Sequence, residues 1–159
     1  MSFFQKLWDN HPTITDDDYP CSSNGKKNFP NQCAIRMGEC FERSGIKTQK
    51  LPVRRCWFHK NQPGHILAAE ELANALVKFP ISSNIQKPIK FKGKDGFSKI
   101  AGKKGIIFFK DYYGPGNQGD HIDLWNGSRL TRFSSYWDFL VLNGGRYQRA
   151  DVWFFRIIG

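Results

Sequence analysis

The 159 residues are 40% hydrophobic and 15% aromatic, enough for one folded domain spanning residues 1–159 and too apolar for a disordered chain. No apolar run approaches the ~20 residues that cross a bilayer, so no membrane span is expected. The net charge of +10 favours acidic partners, but the basic residues are dispersed in pairs such as Lys26-Lys27, Arg54-Arg55 and Lys103-Lys104; with no basic helical stripe and no nucleic-acid motif, the expected attraction is to a polyanionic surface and not to nucleic acid.

The first segment, MSFFQKLWDNHP, lacks a basic flank ahead of a long apolar stretch and is not expected to be a secretory signal peptide. Work outside the producing cell would require another route. Phe3, Phe4, Leu7 and Trp8 fall on one face of a short helix. TDDDYPCSSNGKKNFPNQ follows and reads as a loop, with acids, Ser, Gly, Asn and two prolines and no periodicity. NQCAIRMGECFERSG then predicts a helix. Cys33, Met37, Cys40 and Phe41 share a face, Asn31 or Gln32 stands at the entry, and Gly45 marks the stop. A second helix fits HILAAEELANALVKF, with Ile66, Ala69, Leu72, Ala73 and Leu76 on one side.

The pattern then shortens. GIIFF, residues 105–109, suits a buried strand. HIDLW, residues 121–125, alternates and runs into Asn126-Gly127, a hairpin signal that predicts a return strand over residues 128–133. A short helix around residues 135–142 and a last strand in VWFFRII complete the chain. Helices first and strands after make an α+β domain, with N-terminal helices packed on an antiparallel sheet.

Four cysteines, at 21, 33, 40 and 56, match no zinc-finger spacing, and neither a metal nor a cofactor is expected. Cys33 and Cys40 lie two helical turns apart, too far for an unstrained disulfide along one helix. Cys21 and Cys56 either pair in an oxidising compartment or stay free as buried thiols. Cys40, mid-helix, reads as a core residue. Cys33 differs because it begins its helix, where unsatisfied N–H groups and the helix dipole lower a thiol pKa. The same N–H groups could hold an oxyanion. His121 follows the glycine-rich loop DYYGPGNQGD and opens a strand, where its ring can be presented at a cleft rim. The other histidines suit this role less. His11 precedes Pro12, His59 follows an Arg/Trp-rich segment, and His65 reads as the start of a helix. A helix-borne Cys followed by a strand-borne His is the order of a papain-like site.

The blocks NQCAIRMG, GKKGIIFFK and GDHIDLWNG, with the closing VWFFRI, make the sequence resemble the type VI secretion amidase effector 4 family, compact relatives of bacterial papain-like NlpC/P60 peptidases. The likeness runs from about residue 31 to the C-terminus. It implies an α+β papain-like NlpC/P60 fold and an antibacterial toxin, delivered by type VI machinery into the periplasm of rival Gram-negative cells. It implies a cysteine amidase that cuts the D-Glu–meso-diaminopimelate bond of peptidoglycan stem peptides, with Cys33 as nucleophile and His121 as base. The implied partners are the stem peptide, a cognate immunity protein that blocks the cleft, and the secretion machinery.

One position departs from the family. Its third catalytic residue is an acid eleven positions beyond the histidine, where this chain has Arg132, which cannot accept an imidazole N–H. The nearest acids are Asp120 and Asp123, with Asp138 further off. Asp123 shares a strand face with His121. It either orients the ring or stands as an exposed strand acid paired with Arg129 or Arg132. A backbone carbonyl or a water could also fill the role. Tyr112, Tyr113 and Trp125 flank the histidine and either line a substrate cleft or pack in the core. Two other functions fit the same scaffold: a non-catalytic wall-binding module, and a papain-like transferase or deamidase.

Overall fold

A computed structural model of the chain divides into two compact units, Met1–Ser83 and Asn84–Gly159. The residues described are 1–113, 119–132 and 150–159, without the side chains of 95, 97 and 111–113. The helix expected over residues 135–142, Asp138, residues 114–118 of the glycine-rich loop, residue 133 and the side chains of Tyr112 and Tyr113 therefore lie outside the described residues.

In the first unit, α1 (Phe3–Asn10) starts where Ser2, in an extended conformation, accepts the Gln5 N–H on its hydroxyl at 3.1 Å. It buries Phe4, Leu7 and Trp8, the face expected from their spacing. The segment read as a plain loop contains a small hairpin, β1 (Ser22–Ser23) and β2 (Lys26–Lys27). Its two turn residues, Asn24 and Gly25, have φ of 53° and 79°, the left-handed pair that a tight hairpin requires. Helix α2 (Cys33–Arg43) is the centre of the unit and buries Ile35, Met37, Cys40 and Phe41. The Cys40 thiol donates to the Leu7 carbonyl at 3.1 Å, which ties α2 to α1 and makes Cys40 a core residue. Gly45, at φ 83°, stops α2 as expected: its N–H donates to the Glu42 carbonyl and that of Ile46 to Phe41.

Helix α3 (Ala69–Lys78) begins four residues later than its apolar spacing suggested. Ile66 instead forms an antiparallel bridge with Arg55, and the Cys56 N–H donates to the His65 carbonyl at 2.9 Å. Long-range pairing has taken the backbone groups that the first helical turn would have used. Segment 64–66 also rests against α2 through two glycines. A Cβ added to Gly38 would lie 1.9 Å from the Gly64 carbonyl oxygen, so the two backbones meet directly. Gly38→Ala must push them apart and should cost about 1–3 kcal/mol, as other overpacking changes do. A thermal melt should show this as a fall of several degrees. An unchanged melting temperature would mean that the contact yields freely.

The described residues of the second unit include a four-stranded antiparallel sheet in the order β3-β6-β4-β5. Its strands are β3 (Ile89–Lys92), β4 (Gly105–Tyr113), β5 (Gly119–Trp125) and β6 (Asp151–Arg156). A 3₁₀ turn (Gly93–Asp95) and the short α4 (Phe97–Ile100) join β3 to β4. Strand β4 is central, with Ile107 opposite both Asp123 and Phe154. Ile107, Phe109, Trp125, Val152 and Phe154 form one core with Ile100, Leu130 and Ala150. Ile106, Phe108, Ile122, Leu124 and Phe155, on the opposite face, are buried as well. A strand covered on both faces needs a continuous apolar run, which is why GIIFF does not alternate.

The expected return strand over 128–133 is not formed among the described residues. Only Leu130 bridges back, to Trp125. The Asn126 side chain accepts the N–H groups of Ser128 and Arg129 at 3.0 and 2.9 Å, and Gly127 adopts φ 104°. This local turn consumes the donors that a ladder would need.

Candidate active site

Two residues fix the start of α2. The Asn31 carboxamide oxygen accepts the Cys33 N–H at 3.1 Å. Gln32 is fully buried and grips Cys21: it accepts that residue's N–H at 3.0 Å and donates to its carbonyl at 2.8 Å and to the Phe29 carbonyl at 3.1 Å. The helical ladder begins with the Arg36 N–H donating to the Gln32 carbonyl at 2.8 Å. The N–H groups of Cys33, Ala34 and Ile35 therefore precede it and form the electropositive end of the helix dipole. Cys33 stands in this first turn and is buried. The other helical cysteine, Cys40, is two turns away in the core.

In the second unit, His121 lies inside β5, opposite Phe109, whose ring stacks on the imidazole at 6.3 Å and 16°. The strand starts at Gly119, so His121 does not open it; the pairing with β4 is regular from His121 onward and shifts register between His121 and Gly119. Asp123, two residues on and facing the same way, places Oδ2 3.4 Å from His121 Nε2. That is long for a hydrogen bond. The carboxylate itself is firmly placed. Its Oδ1 accepts the Leu124 N–H and the Thr131 hydroxyl, each at 2.7 Å.

Asp123 is only 3% exposed, so it is not the exposed strand acid that its sequence position also allowed. Arg129 is turned elsewhere, donating to the Leu130 and Thr131 carbonyls at 3.0 Å each. Thr131, buried at the end of the Asn126 turn, was not legible as a site residue. The one signal for it was its place beside Arg132, the position where the family carries an acid. Trp125, read as a possible cleft residue, is fully buried, and its indole N–H donates to the Ile100 carbonyl at 3.0 Å. It packs in the core of the second unit. Tyr112 and Tyr113 close β4.

A second group of reactive side chains occupies the first unit. Cys21, Cys56, His59 and His65 bring four ligand atoms within 4.8 Å of one another. Burial pushes the Cys21 thiol up to about 11. At Cys56 burial acts in the same direction but is outweighed by hydrogen bonds from Cys21, His59 and the Phe58 N–H, which bring it down to about 7. His65 and Glu39, both buried, lie 3.4 Å apart, and Arg43 contacts the other Glu39 oxygen at 3.2 Å. The hydrogen bond to His65 holds Glu39 below the usual carboxylate range.

The type VI secretion system (T6SS) amidase effector protein 4 family, Tae4, matches residues 29–155 of the sequence. The chain belongs to that family. A comparison with curated proteins by sequence finds no match. Among solved structures, the effector Tae4 from Salmonella typhimurium in complex with the immunity protein Tai4 from Enterobacter cloacae is 20% identical, with a TM-score of 0.69 and 100% of both chains covered. The Salmonella Typhimurium Tae4–Tai4 complex is 21% identical, with a TM-score of 0.69, covering 100% of this chain and 99% of that one. Tae4 from Enterobacter cloacae is 18% identical, with a TM-score of 0.65, covering 100% of this chain and 98% of that one. These likenesses carry the fold, an α+β papain-like arrangement. Family membership makes the chain a type VI secretion amidase effector.

Proposed function

We propose that the chain is a cysteine amidase that hydrolyses the D-Glu–meso-diaminopimelate bond of peptidoglycan stem peptides, with its two units acting as one catalytic domain. Cys33 is the nucleophile, His121 the general base and Asp123 the group that orients the ring. The observation that carries this reading is the arrangement around His121. A buried carboxylate, itself pinned by Thr131 and the Leu124 N–H, faces Nε2 of a strand-borne histidine. That gives the imidazole a fixed proton on Nε2 and offers Nδ1 as the base. Arg132 then need not serve as the third member, because Asp123 supplies the acid from the histidine's own strand.

His121 Nδ1 takes the proton from the Cys33 thiol, and the thiolate attacks the γ-carbonyl carbon of D-glutamate. The N–H groups at the start of α2 stabilise the oxyanion. His121 protonates the departing diaminopimelate amine, then removes a proton from water, which cleaves the thioester and frees Cys33. The +10 charge holds the enzyme near an anionic wall. Delivery by type VI machinery into a rival cell's periplasm and inhibition by a cognate immunity protein belong to the same reading, supported by the family and by the effector–immunity complexes of similar structures.

Mass spectrometry of muropeptides digested by the purified protein tests the reading. A fragment ending in D-glutamate and one beginning with diaminopimelate are expected. Stems left whole, or altered by deamidation or acyl transfer with that bond intact, would replace it with the binding-module or transferase function.

A further inference from the structure

We propose that Cys21, Cys56, His59 and His65 hold one zinc ion in a closed, structural, four-coordinate site within the first unit. This inference does not depend on the amidase reading, since none of the four residues acts in that mechanism. The four ligand atoms lie within 4.8 Å of one another, close enough for one ion to reach all of them after a shift of about an ångström. The two sulfurs lie 3.2 Å apart, and His59 Nδ1 lies 3.6 Å from Cys21 Sγ and 3.7 Å from Cys56 Sγ. Zinc bonds of about 2.3 Å to sulfur and about 2.0 Å to nitrogen set ligand atoms roughly 3.3–3.8 Å apart. The sulfur pair would open by about half an ångström, and the two sulfur–nitrogen edges of His59 already fit.

The histidines supply the second argument. His65 is 3% exposed, its Nε2 faces Glu39 at 3.4 Å, and its Nδ1 is buried with no hydrogen-bond partner among the described residues. A carboxylate on one ring nitrogen fixes the proton there and leaves the other nitrogen with a lone pair, the arrangement that second-shell acids impose on metal-bound histidines. With Nε2–H directed to Glu39, the nitrogen left for the metal is Nδ1. A disulfide between Cys21 and Cys56 would leave that nitrogen buried and unpaired. A metal satisfies it.

Each sulfur already accepts an N–H that a metal-bound thiolate would keep. The Phe58 N–H donates to Cys56 Sγ at 3.2 Å, two residues along the Cys56-x-x-His59 turn, and Asn28 Nδ2 donates to Cys21 Sγ at 3.5 Å. Two thiolates, two neutral imidazoles and a dication sum to zero, so the site can be buried without a stranded charge. Phe29, Ile35 and Leu67 pack around the two cysteines, and two soft sulfurs with two imidazoles favour zinc over a hard cation. The site also bears on Cys33, because Gln32 clamps both backbone groups of Cys21. Fixing Cys21 therefore fixes the residue that precedes the proposed nucleophile.

The test uses the full chain made without a histidine tag, assayed for metal after gel filtration. About one zinc per chain is expected, together with replacement by cobalt that shows the visible bands of a tetrahedral thiolate site. Cys56→Ser and His65→Ala should each lose most of the metal. Because those variants could also fail to fold, the parent chain is treated with chelator as well. Its melting temperature should fall, and added zinc should restore it. A zinc-free parent whose Cys21 and Cys56 react with iodoacetamide only after reduction would overturn the proposal in favour of a disulfide. A zinc-free parent in which both thiols react at once would overturn it outright.

Discussion

Cys33→Ala should lower kcat/KM for stem-peptide hydrolysis by on the order of 10⁴-fold or more, while leaving the far-UV circular dichroism spectrum unchanged. The choice among four cysteines rests on position. Cys56 has the thiol brought down to about 7, and a depressed thiol alone would mark it as the reactive one. But the groups that lower it are Cys21, His59, the Phe58 N–H and His65, all within or beside one cluster, and Cys56 itself does not stand on a helix. Structural networks perturb thiols as readily as active sites do. Cys40 is buried mid-helix on the Leu7 carbonyl. Only Cys33 combines a thiol with the N–H groups that open α2. Substitution at Cys56 should therefore first change stability and metal content, and substitution at Cys33 should change the chemical step. A Cys33→Ala protein that still splits the stem at the parent's rate would remove the nucleophile assignment.

Local signals in the sequence specified most of the elements that carry the site. The spacing of Cys33, Met37, Cys40 and Phe41 defines α2, and the unbroken run GIIFF defines the central strand, because each pattern states which faces are buried. The period of two likewise put His121 and Asp123 on one face of β5. Contacts between distant segments were not legible. The start of α3 is set by the bridge between Arg55 and Ile66, and the absence of a return strand among the described residues by the Asn126 turn. Thr131 reaches Asp123 only because that turn folds back. The Asn24-Gly25 hairpin carried a clear turn signal in a segment whose polarity read as loop. The four-residue cluster was hidden for a related reason. Cys56-x-x-His59 followed by His65 has a ligand-like rhythm, but its fourth member, Cys21, lies 35 residues from Cys56, and His65 read as a helix start.

The second large effect belongs to the histidine and its supports, and it should be graded. His121→Ala should reduce kcat/KM by about 10²–10⁴-fold, the usual contribution of a positioned general base. Asp123→Asn keeps an oxygen for the Thr131 hydroxyl and the Leu124 N–H, so the fold should survive. It presents an amide where the carboxylate faced Nε2, which favours the wrong tautomer and removes the charge that balances imidazolium. At a separation of 3.4 Å the loss should be smaller than for His121→Ala, on the order of 10–10³-fold. Thr131→Val removes only the hydroxyl that pins Oδ1 at 2.7 Å and should cost about 10-fold or less, the scale of one net hydrogen bond. The order alanine at 121, asparagine at 123, valine at 131, measured as kcat/KM on one muropeptide, separates a catalytic relay from a packing role. If Asp123 merely filled space, Asp123→Asn would match the parent, and the orienting group would have to be sought elsewhere on the chain.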